Sequence, residues 1–210
     1  MRGLFITFEG PDASGKTTQL KLLEDYCNEL KLDFIMTREP GGTPISEKIR
    51  EIILDKECSE MLPVTEALLY AASRAQHVGE KIIPALDEGK IVISDRFLDS
   101  SIAYQGYGRG MGEMIRSMNE PAISGLMPDI TILLKIDPEL MKTRRESCNE
   151  DRMDAQKLSF HKKVLEGYMA LAEVEPQRIA VVDACCAIEE VAENIRKIVE
   201  PLLRNKGYIV

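Results

Sequence analysis

No stretch of the chain's 210 residues approaches the ~20 consecutive apolar positions that a membrane-spanning helix needs. Met1-Arg2-Gly3 leads straight into a strand-like run with no signal-peptide pattern, so the expected compartment is the cytoplasm. Positive charge is also in short supply. The net charge is −8 and the isoelectric point lies near 5.0, which speaks against a broad face for a nucleic acid polymer. Any anion bound here must be met by local clusters of arginine. The five cysteines, Cys27, Cys58, Cys148, Cys185 and Cys186, are odd in number and form no C-x-x-C pair. That argues against a disulfide framework and a zinc site, and the adjacent Cys185-Cys186 reads as small side chains following a strand. Internal repeats, low-complexity segments and long Pro/Gly/Ser linkers are missing too, which leaves a single domain over residues 1–210. With 44% hydrophobic and 30% charged residues, that domain has the composition of a globule with a sizeable core.

What is present is concentrated in residues 4–18. Leu4 to Phe8 is a short apolar run, suited to a strand buried within a sheet. It is followed by Gly10-Pro11-Asp12-Ala13-Ser14-Gly15-Lys16-Thr17-Thr18, which contains the G-x-x-x-x-G-K-T phosphate-loop pattern. A helical period then begins, with Leu20, Leu23, Cys27 and Leu30 at its apolar positions. Strand, glycine loop and helix together are the context in which this motif binds a nucleoside triphosphate. Gly10 and Gly15 permit the tight turn that aims backbone N–H groups at an anion, and the helix N-terminus adds its own. Lys16 is placed to reach the β- and γ-phosphates, and the Thr17 hydroxyl to ligate Mg²⁺.

Strand-like runs recur at residues 34–37, 91–94, 130–136 and 179–183. Between them lie amphipathic helical periods: Ile45, Ile49, Ile52 and Ile53 share one face, and Ile188, Val191, Ile195, Ile198 and Leu202 another. The alternation predicts an α/β fold, a five-stranded parallel sheet with helices on both faces. Ligands of such sheets gather at the carboxyl ends of the strands. Those ends are polar here: Arg38-Glu39-Pro40-Gly41-Gly42-Thr43 after the second, Asp95-Arg96-Phe97 after the third, and a charged segment over residues 142–154 after the fourth.

Phe8-Glu9-Gly10-x-Asp12-x-x-Gly15-Lys16-Thr17-Thr18, Arg38 to Thr43, Arg74-Ala75-Gln76-His77, Asp95-Arg96-Phe97 and Ser100-Ser101-x-Ala103-Tyr104-Gln105-Gly106 together resemble the thymidylate kinase family, in its order and over nearly the whole chain. The resemblance implies a P-loop nucleoside monophosphate kinase fold and transfer of the ATP γ-phosphoryl group to dTMP, giving dTDP, with Mg²⁺. Such a reaction asks mainly for positioning and charge neutralisation. A monophosphate acceptor is largely dianionic at neutral pH, its second pKa being about 6, so its attacking oxygen needs no dedicated base.

By resemblance, Arg38 and Arg96 bind the dTMP phosphate and Glu9 lies near the deoxyribose 3′-hydroxyl. Asp95, at its strand end, is placed to hold Mg²⁺ directly or through water. Tyr70 stacks on thymine, and Arg74, four residues on and so on the same helix face, bonds a base carbonyl. Ser101 and Gln105 supply further polar contacts, while Tyr104 packs under the sugar and excludes a 2′-hydroxyl. Residues 142–154 resemble a lid over ATP. Position 13 is Ala, so the resemblance is to the class whose catalytic arginine comes from that lid, with Arg144, Arg145 and Arg152 as candidates beside Lys16 and Arg96. Family members are commonly homodimers, and Leu68, Leu69 and Ala72 are seam candidates that serve equally as core.

The chain departs from the family pattern at Ser73, Phe97 and Ser101, none of which removes a phosphate contact. Two alternatives remain among enzymes, a kinase for another nucleotide such as dUMP and a deoxynucleoside kinase. The latter would need a base for a neutral 5′-hydroxyl, and the phosphate-directed arginines oppose it. A guanine-nucleotide switch would carry Asn-Lys-x-Asp, whereas Asn205-Lys206 runs into Gly207-Tyr208 at the C-terminus.

Overall fold

The computed structural model describes residues 2–137, 139–140, 152–153 and 156–209. Five strands, β1 (Leu4–Glu9), β2 (Phe34–Arg38), β3 (Ile91–Asp95), β4 (Ile130–Lys135) and β5 (Ile179–Asp183), form one parallel sheet in the order β2-β3-β1-β4-β5. Its helices are α1 (Lys16–Glu29), α2 (Pro44–Leu54), α3 (Pro63–His77), α4 (Ile83–Asp87), α5 (Leu98–Ser101), α6 (Met114–Ile123), α7 (Leu158–Val174) and α8 (Ile188–Asn205). Wider π-helical turns at Val78–Ile82 and Ile102–Gly108 join α3 to α4 and extend α5.

The central strands are apolar on both faces because helices cover both. Two cores result. Leu4, Ile6, Phe8, Ile91, Ile93, Ile132 and Leu134 point toward α1 and α8, which supply Leu20, Leu23, Cys27, Val191 and Ile195. Phe5, Val92 and Leu133 point the other way, toward Phe97, Ile102, Tyr104, Val164 and Tyr168. This alternation along single strands is the period-2 geometry of the pleat, with both sides buried.

The sheet register aligns the strand ends that carry polar residues. Phe8 and Arg38 both pair with Asp95, and Glu9 pairs with Leu133. The phosphate loop therefore leaves the middle strand with the β2 and β3 ends beside it. The chain runs outward from β1 to β2 on one side and returns through β3 before crossing to β4, so this edge is the topological switch point.

The expected apolar face of α2 is covered in part only. Ile53 is buried, but Ile45 is 53% and Ile52 49% exposed, since α2 lies at the flank against α3. Leu30, at the end of α1, is exposed as well. Periodicity identifies an apolar face; it does not say what covers it.

Candidate active site

Gly10 adopts φ 136°, and a Cβ there would stand 2.5 Å from the Leu134 carbonyl oxygen, so the loop passes β4 at a distance only glycine allows. Gly15 opens α1 at φ 90°. Lys16 is nearly buried, and its ammonium donates to the carbonyls of Gly10 (3.1 Å) and Pro11 (3.0 Å). Burial, then the neighbouring Arg96 charge, holds its pKa below the usual lysine range. Thr17 and Thr18 are exposed on the first turn of α1. Three buried oxygens, Ser14 Oγ, Gln19 Oε1 and Asp95 Oδ1, have no hydrogen-bond partner among the described residues. An orphaned carboxylate oxygen at the β3 end fits a hard cation held largely by phosphates and water, and no group of three or more acidic, His or Cys ligands is found among the described residues.

Beside the loop lies a partly open cleft lined by Asp12, Glu39, Pro40, Arg50, Leu54, Tyr70, Arg96, Ser100, Tyr104, Gln105 and Met153. Arg96 joins cleft to loop. Its Nη1 donates to the Gly10 carbonyl (3.0 Å), Ser100 Oγ and Tyr168 OH, and its Nη2 to Asp12 Oδ1 (2.6 Å) and Tyr104 OH. The guanidinium also stands over the Tyr104 ring, 5.0 Å from its centroid. Its backbone is held at φ 70°, a conformation that costs a non-glycine residue free energy and recurs at functional sites. Tyr104 OH in turn donates to Asp12 Oδ2 (2.8 Å).

The remaining expected site residues are distributed differently. Glu9 is fully buried and does not line the cleft. Its carboxylate accepts from the Phe97 and Ser100 amides, Ser100 Oγ and Tyr168 OH, so it holds the turn that carries Arg96. Burial, with the Asp99 carboxylate adding to it, pushes the Glu9 pKa up to about 7. The acids that do reach the cleft are Glu39 and Asp12, the latter placed by the sequence among the donor-loop residues. Tyr70 and Gln105, expected at the base, line the cleft. Arg74 is 1% exposed and lies directly behind it, bonded to Glu39, while Ser101 accepts from Arg74. Arg38 is half exposed, pairs with Glu47 at 2.8 Å, and borders a separate open groove with Lys81.

Of the lid candidates, Arg144 and Arg145 lie outside the described residues. Arg152 is described and nearly buried: Nε donates to the Ile53 carbonyl (2.8 Å) and Nη1 pairs with Glu66 (2.7 Å), while Nη2 has no partner among the described residues. The physical reason is Glu66, a buried carboxylate on α3. Burial alone would raise its pKa, but hydrogen bonds from Arg109, Gln105 and Arg152 outweigh that and hold it low. In this conformation Arg152 ties its segment to α2 and α3. Sequence reading missed Glu66, Arg109, Asn119 and Tyr168, which belong to no local motif. For Glu66 alone a signal existed, because Glu66, Tyr70 and Arg74 follow at four-residue steps on one face of α3.

The thymidylate kinase family model matches residues 8–195 of this chain. The chain belongs to the thymidylate kinase family. It is 51% identical over 199 residues to the thymidylate kinase of Clostridium novyi (strain NT), covering 93% of this chain and 97% of the relative. It is 50% identical over 205 residues to that of Caldanaerobacter subterraneus subsp. tengcongensis, covering 97% and 98%. The crystal structure of thymidylate kinase from Ehrlichia chaffeensis superposes with a TM-score of 0.77 at 34% identity, over 95% of this chain and 99% of that one. A chain with this membership is a nucleotide-phosphorylating enzyme, and its five-stranded parallel sheet with helices on both faces is the fold expected from the sequence.

Proposed function

We propose that the chain phosphorylates dTMP to dTDP with ATP as donor, the nucleotide of the phosphate loop and that of the cleft meeting at Arg96. One observation carries this reading. Arg96 bonds the loop at Gly10 and Asp12 and also lines the neighbouring cleft, so one cation lies between the donor and acceptor sites. A planar guanidinium is the group best suited to two phosphates at once. Acceptor phosphate would compete with Asp12 for the same fork. Lys16 would neutralise donor charge, and residues 10–18 would cradle ATP. The base would lie against Tyr70 and Gln105, with Arg74 and Ser101 behind and the sugar beside Tyr104. Arg38 would reach the acceptor phosphate on leaving Glu47. Asp12 takes over from Glu9 the place of an acid facing the acceptor. Mg²⁺ bound to the phosphates, held from the protein by Thr17 and Asp95, would neutralise charge developing on the transferred group. Arg144, Arg145 and, on release from Glu66, Arg152 remain the lid candidates for the same task.

We also propose a cytoplasmic homodimer. No helix among the described residues is long and apolar enough to cross a membrane. The exposed apolar residues Ile45 and Ile52 on α2, and Val64 and Leu68 on the adjoining α3, would supply the seam that another copy covers.

The test is ADP release with MgATP and dTMP, dUMP, dCMP, UMP, AMP, thymidine or no acceptor. dTMP should lead, dUMP should follow at low efficiency because one methyl is worth only ~1–3 kcal/mol, and UMP and thymidine should be poor. Equal rates across the panel, or steady hydrolysis without acceptor, would overturn the assignment of the cleft.

A further inference from the structure

His77, the last residue of α3, is fully buried and has no part in the reaction as described. Both ring nitrogens are engaged. Nε2 lies 2.6 Å from Thr37 Oγ1 on β2, and Nδ1 lies 3.0 Å from Glu39 Oε1. A carboxylate only accepts, so Nδ1 carries a proton and donates to Glu39, and Nε2 shares its bond with the Thr37 hydroxyl. The other Glu39 oxygen accepts from Arg74 Nε at 2.7 Å. Arg74 passes the chain onward, through Nη1 to Asn119 and through Nη2 to the Phe97 carbonyl (3.0 Å) and Ser101 Oγ (3.1 Å).

The path therefore runs from the sheet edge, through the loop after β2 and along α3, to the turn after β3 and to α6. Glu39 is its one member that lines the cleft. With Arg74 as its single partner, that carboxylate would be free to turn about the shared bond. A second donor, fixed on the opposite oxygen, removes the rotation and with it the freedom of the guanidinium plane. The imidazole itself has no room to move. A Cβ on Gly42 would stand 2.6 Å from Nε2 and 2.8 Å from Thr37 Oγ1, so the loop backbone is packed directly on the ring.

We propose that His77 is a positioning residue for the acceptor's base, fixing Glu39 and, through it, Arg74, without touching any ligand. The inference rests on the cleft being the acceptor site. Its signature is one-sided, because the hydrogen bonds of the path run to Thr37, Asn119, Phe97 and Ser101 and not to the phosphate loop: acceptor affinity depends on His77 and donor affinity does not.

The two conservative replacements separate the ring nitrogens. His77→Asn sets an amide N–H near the place of Nδ1 and keeps the bond to Glu39. His77→Gln reaches the place of Nε2 and leaves Glu39 without its second donor. We expect H77Q to raise KM for dTMP about tenfold, with kcat and KM for ATP within about twofold, and H77N to stay within about threefold of wild type. Thr37→Val, which removes the hydroxyl bonded to Nε2, should raise the dTMP KM severalfold and leave ATP unaffected. It supplies the test if either His77 variant fails to fold. Equal effects of Asn and Gln, or a KM for ATP that moves with that for dTMP, would overturn the proposal and reduce His77 to a core residue. Tyr70→Ala tells the two failures apart. If it too leaves the dTMP KM unchanged, the cleft assignment falls; if it raises it and H77Q does not, only the role of His77 falls.

Discussion

At its last position β1 places a carboxylate where solvent does not reach. Glu9 is the acid just before the phosphate loop, and from sequence it read as a ligand contact. What turns it into a frame residue is Tyr168, 159 positions away, together with the turn after β3. No local pattern contains that partner. The same burial makes Glu9 a source of pH dependence. Its folded-state pKa of about 7 lies above the ordinary 4.5, with Asp99 adding to the shift and Arg96, Ser100 and Tyr168 opposing it. Between those values the folded protein binds more protons than the unfolded chain, so this group's contribution to stability falls as pH rises from about 4.5 to about 7. Glu9→Gln keeps an acceptor for the Phe97 and Ser100 amides and should remove that slope. Urea unfolding of wild type and E9Q at pH 5 and pH 7.5 checks it: the wild type should lose stability relative to E9Q on going to the higher pH. Parallel behaviour of the two would show that Glu9 titrates normally.

Among the elements, the strands were the most legible. The runs at 4–8, 34–37, 91–94, 130–136 and 179–183 match β1 to β5 to within a residue at either end, because buried parallel strands write continuous apolar runs. The loop after β2 was legible as a motif but not in its reasons. Gly42 takes φ 90° with the His77 ring and the Thr37 hydroxyl where a Cβ would go. Gly42→Ala meets both the left-handed backbone cost and that contact, whereas Gly207→Ala, at φ 72° with open space around it, meets only the first. At roughly 1–3 kcal/mol for the strained conformation, and about 2–4 °C of melting temperature per kcal/mol at this chain length, G207A should lose a few degrees. G42A should lose clearly more, and should also raise the dTMP KM by displacing His77. Calorimetry of the pair measures the difference, and equal losses would mean that the loop yields to the added methyl without disturbing the ring.

For the whole molecule, the phosphate loop, the five-stranded parallel sheet and the gathering of Arg38, Asp95 and Arg96 at one edge followed from sequence, since each depends on strand runs and strand ends, whereas the order of the strands is given by the structure alone. The buried ties did not: Glu66 to Arg109 and Arg152, Arg178 to Asp99, and Glu39 to His77 join residues 38 to 86 positions apart. Neither did the fate of the α2 face, whose isoleucines share one side by period yet leave Ile45 and Ile52 exposed at 53% and 49%. Burying a fully exposed aliphatic side chain yields about 1.5–3 kcal/mol. Four half-exposed ones on two adjoining helices, counted on each of two copies, are therefore enough to offset much of the entropy lost on association. Homodimers are built on self-complementary patches of this kind, and a charge at the seam would meet its own copy or apolar neighbours without a counter-ion. Leu68, 52% exposed on α3, is the residue to change, because no described hydrogen bond or ion pair depends on its side chain. Light scattering on wild type should give twice the 23.6 kDa of one chain, and Leu68→Glu should give a single chain's mass with the far-ultraviolet spectrum unaltered. A wild-type protein that already scatters as one chain would leave the patch without this partner.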